Sequence, residues 1–103
     1  MSSNVFVKSG RVTDLLAPNA SATLTGSWMF KDAPKSAIQV VATAAATVVF
    51  DVSNDATNAC ATTLATVTLA AAGSDGFTTD APWKYIRARI TANSGIVNVT
   101  MSV

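Results

Sequence analysis

From Trp83 to the end of the chain, apolar and polar residues alternate with a period of two, and that period dictates strands, not helices. Ile86, Ala88 and Ile90 alternate with Tyr85, Arg87 and Arg89; Val97, Val99, Met101 and Val103 alternate with Asn98, Thr100 and Ser102. Asn93-Ser94-Gly95 joins the two runs, and a turn of that composition predicts an antiparallel hairpin. Val48, Phe50 and Val52 alternate with Thr47, Val49 and Asp51, and Ala65, Val67 and Leu69 with Thr66 and Thr68. Ile38 and Val40 repeat the pattern less cleanly. The Ala-rich stretches 42–46 and 69–72 carry helical propensity. Their interleaved Thr and Val are stiff at χ1 and suit a pleated surface, and no 3.6-residue period runs through them.

Turn residues punctuate the chain at Gly10, Pro18-Asn19, Gly26, Asp32-Ala33-Pro34, Ser53-Asn54-Asp55, Gly73-Ser74-Asp75-Gly76, Ala81-Pro82 and Asn93-Ser94-Gly95. A spacing of about 8–12 residues is that of an antiparallel β-domain. The expected fold is therefore an all-β, antiparallel β-sandwich, jelly-roll-like, with seven or eight short strands and residues 1–103 in a single domain. The first thirty residues are less regular. Segments 5–7 and 22–25 read as strands, with 11–19 a connection carrying Leu15 and Leu16. Residues 1–30 thus form either an N-terminal arm plus first strands, packed on a neighbouring subunit, or edge strands of the chain's own sheet.

A chain of 103 residues is one domain long. Much of its 50% hydrophobic content is Ala, so the expected core is thin and shared burial with neighbours is favoured. Seven basic and six acidic residues leave a net charge of +1 without a run of either sign, which argues against nucleic acid as a partner. Charged residues make up 13%, about half the usual share, as suits a protein packed against others. The most apolar stretch, 37–50, is broken by Gln39, Thr43 and Thr47 and is shorter than the roughly 20 residues of a membrane helix. Residues 1–6 show no basic segment followed by an apolar run, so a secretory signal is not expected there. The expectation is a product made in the cytoplasm, with no membrane partner.

Catalytic chemistry finds little to work with. Histidine is absent, which removes the commonest general base and metal ligand. Cys60 is the sole cysteine, so it reads as a packing residue and no intrachain disulfide forms. All six acidic residues are Asp. Asp51 and Asp55 flank one turn and Asp75 and Asp80 another, where Asp bonds its own backbone. A Ca²⁺ site at Asp51, Asn54 and Asp55 lacks the ligand spacing of a known loop. The glycine-rich 73–76 stretch precedes a strand, not a helix, and reads as a turn. The chain is expected to be no enzyme, with no catalytic, metal or cofactor-binding residues and no cofactor.

Surfaces remain. By alternation Trp83, Tyr85, Arg87 and Arg89 share one face, and aromatic residues with Arg are the types enriched at protein interfaces. They form the candidate interface; the plainer alternative has Trp83 and Tyr85 capping the sandwich with the arginines solvated. Trp28, Met29 and Phe30 make a second, weaker candidate cluster.

Several segments carry a resemblance. Val52-Ser53-Asn54-Asp55-Ala56-Thr57-Asn58, a Thr/Leu/Val strand, Gly73-Ser74-Asp75-Gly76-Phe77, Asp80-Ala81-Pro82-Trp83-Lys84-Tyr85-Ile86-Arg87-Ala88 and a closing valine-rich strand resemble small β-sandwich virion structural proteins of tailed bacteriophages. The similarity spans 38–103. It implies a capsid decoration (cement) protein located in the virion, a homo-oligomer, trimer or dimer, bound to the major capsid protein. Two alternatives follow from the same likeness. One is a tail or fibre module binding a glycan or receptor, with Trp28, Trp83 or Tyr85 as stacking platforms. Ala59-Cys60 stand where many such sequences carry an aromatic residue shortly after the Ser53-Asn54-Asp55 turn, which weakens a sugar platform built on that turn. The other is a head-completion or tail-tube component.

Overall fold

The computed structural model describes residues 12–31, 35–56 and 61–102, and in those residues every regular element is a strand. The strands are β1 (Val12–Asp14), β2 (Leu24–Thr25), β3 (Met29–Phe30), β4 (Ser36–Ala42), β5 (Ala46–Ser53), β6 (Thr62–Leu69), β7 (Gly73–Thr79), β8 (Tyr85–Asn93) and β9 (Val97–Ser102). They form two antiparallel sheets. Sheet A runs β1-β9-β4-β7, and sheet B runs β2-β8-β5-β6 with β3 also paired to β8. No helix among the described residues is long and apolar enough to cross a membrane.

The registers reveal one long ribbon. Val12 faces Ser102, Leu24 faces Ile90, Met29 faces Ile86, Ser36 faces Thr79, Ala46 faces Leu69 and Phe50 faces Ala65. The sum of partner numbers stays constant to within one along this series, so the chain doubles back on itself around the β5–β6 connection. The ribbon is then wrapped, bringing β4 against β9 and β5 against β8. With β2 and β3 taken as halves of one interrupted strand, this is the double-Greek-key order of a jelly roll. The interruption also explains nine strands where seven or eight are expected.

Two sequence expectations are corrected. β8 and β9 do not form a hairpin: β8 lies in sheet B and β9 in sheet A, so Asn93-Ser94-Gly95 carries the chain across the sandwich. Alternation marks which side chains face the core, not which strand is the neighbour, and here both strands turn their apolar rows toward the same interior. Nor is Gly73-Ser74-Asp75-Gly76 a turn. It opens β7 and pairs with β4 from Ala42 to Gln39, and the reversal falls at 70–72. The alanines there and at 43–45 lie outside regular structure. β1 pairs with β9 of its own chain, so residues 12–14 are an edge strand. The predicted strand at 5–7, Cys60 and Val103 lie outside the described residues.

Inward rows fill the space between the sheets. Ile38, Val40, Ala42, Val97, Val99 and Met101 from sheet A meet Val48, Phe50, Val52, Val67, Ile86, Ala88 and Ile90 from sheet B, all buried. Leu15 and Leu16 join this core. Phe50 meets Phe77 edge to face across the sheets, centroids 5.1 Å apart. Burying each such large side chain contributes about 1.5–3 kcal/mol. The core draws on Val and Ile far more than on Ala, and β5 and β8 run through its centre as inner strands of sheet B. That rigidity sets the geometry of whatever their outward rows carry.

Candidate functional site

The outward row of β5 should be solvated, yet Asp51 is 2% exposed. Two arginines on β8 close over it. Arg87 stands directly opposite Asp51, while Arg89 stands opposite Val49 and reaches diagonally, a distance long side chains span. Arg87 Nε donates to Asp51 Oδ2 at 3.0 Å and Arg89 Nε to the same oxygen at 2.7 Å. Arg89 Nη2 donates to Oδ1 at 3.4 Å, and Thr63 Oγ1, opposite Asp51 on β6, donates to Oδ1 at 3.5 Å. Burial pushes the Asp51 carboxyl up, but the hydrogen bonds from Arg89 and Arg87 outweigh it and hold the group below its ordinary range. The Arg89 guanidinium is raised by the same bond. The carboxylate is thus an anchor that fixes two guanidinium groups.

Arg87 is fixed from a second direction. Its Cζ lies 4.7 Å from the centroid of the Trp28 ring, a cation–π distance. The Trp28 indole N–H is buried without a hydrogen-bond partner, so the ring contributes through this contact and through packing. Trp28 reaches its place because the chain between β2 and β3 presses onto β8. Gly26 N–H donates to Ala88 O at 2.8 Å, and a Cβ at Gly26 would lie 2.9 Å from that oxygen and 2.7 Å from Leu16 Cδ2. Only glycine allows so close an approach.

Beyond Trp28, β3 places Phe30 opposite Tyr85. Their rings meet edge to face with centroids 5.8 Å apart and planes at 75°, the favoured geometry for aromatic pairs. Phe30 is 60% exposed. Just after it, Lys31 is buried: its N–H donates to Lys84 O at 2.8 Å and its Nζ to Ala81 O at 3.0 Å. Desolvation lowers its pKa against the pull of Asp80. The segment carrying Phe30 is therefore pinned to the approach to β8.

Two predicted clusters merge into one patch. Tyr85, Arg87 and Arg89 from the first join Trp28 and Phe30 from the second on the outer face of sheet B. Trp83 does not follow Tyr85: it precedes β8 and packs against the core. Met29 likewise packs inward, opposite Ile86. Alternation holds only within a strand, and Trp83 lies outside one. Asp51 is the residue that turn reasoning misplaced. Both its oxygens serve the arginines and Thr63, not its own backbone and not Asp55. The Asx-like work at that turn is done by Ser53, whose Oγ accepts the Asp55 N–H at 3.0 Å. Its signal in the sequence was its place on the polar row of β5, where Arg87 and Arg89 hold the same row of β8.

Among the described residues, the patch sets the Arg87 and Arg89 guanidinium groups against the Asp51 carboxylate. Arg89, whose side chain is 33% exposed, presents its guanidinium on the same outer face of sheet B, four residues along β8 from Tyr85, the partner of the exposed Phe30 ring. No group of three or more His, Cys, Asp or Glu among the described residues is placed to hold a metal. No family model matches the chain, and no curated protein or solved structure matches it.

Proposed function

We propose that this chain is a virion structural protein that decorates the head of a tailed bacteriophage, binding the major capsid protein through the outer face of sheet B and acting as a homo-oligomer without catalysis. The observation that carries the reading is the Asp51-anchored patch. Hot spots at protein interfaces are rigid aromatic and Arg side chains whose conformations are held before binding, and Phe30, Tyr85, Arg87 and Arg89 are held in that way. Jelly rolls serve both capsid and lectin domains, so the topology alone does not choose between them. The tail-fibre glycan reading needs an open row of ring faces. Trp28 gives a face to Arg87 and Trp83 packs on the core, which favours a protein partner over a sugar.

Quantitative mass spectrometry of purified particles tests this reading. A decoration protein is present in hundreds of copies per head, following the symmetry of the shell. Absence from particles contradicts it, and about six or twelve copies point instead to the head-completion or tail-tube alternative.

A further inference from the structure

The jelly roll has four sheet edges, and three of them are blunted. β1 is three residues long, β2 and β3 are two residues each with a break between them, and β7 carries Asp75 and two glycines. The fourth edge is β6, Thr62-Thr63-Leu64-Ala65-Thr66-Val67-Thr68-Leu69, eight residues without a charge, a proline or a glycine. Among the described residues no strand pairs its outer side. Natural sheets blunt such edges with charge, proline or short length, because a bare ladder of N–H and C=O groups templates further pairing. Leu64 and Leu69 of β6 pack against the core, so what the edge itself offers is its open ladder.

We infer that the β6 edge pairs with β6 of a second copy, antiparallel about a two-fold axis, joining the two B sheets into one continuous sheet. The inference deepens the homo-oligomer part of the function proposed above. Charge selects the occupant. Two-fold pairing sets each strand against itself, so any charge on β6 would meet its like near the axis, and β6 has none. An eight-residue ladder is about 26 Å long at ~3.3 Å per residue. A single ladder is smaller than the ~800 Å² per partner of a standard stable interface, so the dimer forms reversibly. Because the axis stands perpendicular to the joined sheet, both Phe30–Tyr85–Arg89 patches face the same side. One dimer then meets a shell with two patches, and avidity strengthens a weak contact.

Sedimentation velocity across a dilution series, up to about 100 µM for a contact of this affinity class, tests the inference. Thr66 and Thr68 are exposed on the outward row of β6, so their replacement leaves the core untouched, and an unchanged circular dichroism spectrum verifies folding. The wild type is expected to sediment as a reversible dimer. Like charges placed opposite one another disfavour pairing, so T66K/T68K and T66E/T68E each weaken the dimer about tenfold or more, and an equimolar mixture of the two restores it. A monomeric wild type, a Lys variant that dimerises like the wild type, or a mixture that stays monomeric would each overturn the inference. Particle content measures the decoration function separately, so either idea can fail while the other stands.

Discussion

Asp51 and Arg89 are not cross-strand partners, yet Arg89 Nε lies 2.7 Å from Asp51 Oδ2, the shortest link in the patch between β5 and β8. Arg87, the true cross-strand partner, donates to the same oxygen from 3.0 Å. One buried carboxylate therefore orients two guanidinium groups, and removing it takes away the charge that both share. Asp51→Asn is expected to destabilise the fold by about 2–4 kcal/mol, less than for a fully enclosed pair because Arg89 is partly solvated. Arg89→Ala should cost about 1 kcal/mol or less. Urea denaturation of the two variants measures the difference.

The same carboxylate sets an acid limit. Its folded pKa lies below the ordinary value, so its stabilising contribution is complete above the unfolded pKa of about 3.9 and is lost as pH falls through the folded value. Melting temperature should hold near neutrality and decline below about pH 4. In Asp51→Asn that part of the decline disappears, leaving a flatter acid limb.

Phe30 and Phe50 have opposite roles that one measurement separates. Phe50 is fully buried, so Phe50→Ala opens a cavity between the sheets and costs about 3–5 kcal/mol. Phe30 is exposed, so Phe30→Ala changes stability by about 0.5 kcal/mol or less. If the patch docks on the shell, Phe30→Ala nonetheless weakens binding to phage heads by about 2 kcal/mol, near 30-fold. Co-sedimentation with heads and a thermal melt, run on both variants, report the two quantities.

Ser36 offers a gain. It is 6% exposed, and its hydroxyl is buried with no hydrogen-bond partner. An unmet buried hydroxyl costs about 1–3 kcal/mol. Ser36→Ala is therefore expected to raise stability by up to about 1 kcal/mol, seen as a higher urea midpoint with unchanged slope.

The strands were legible because alternation is a local signal: Ile86, Ala88 and Ile90 declare a buried row whatever lies beside it. Partnership was not, because it depends on how the ribbon wraps, and nothing in Asn93-Ser94-Gly95 separates a hairpin turn from a crossing between sheets. Tyr85, Arg87 and Arg89 were readable as one face for the same local reason. Their union with Trp28 and Phe30 was not, since it needs Phe30 of β3 opposite Tyr85 of β8, 55 residues away in a ribbon pairing that no short motif encodes. Asp51 was misread because turn propensity near Ser53-Asn54-Asp55 is a strong local cue, and the tertiary ion pair overrides it.

Hydrogen exchange on the protein with and without purified heads reads the proposed docking face residue by residue. Docking through the Asp51-anchored patch predicts added protection concentrated in 28–31 and 84–89, reduced in Phe30→Ala. Protection confined to the outer face of sheet A, around Gln39, Val41 and Thr100, or no protection at any head concentration, would contradict it.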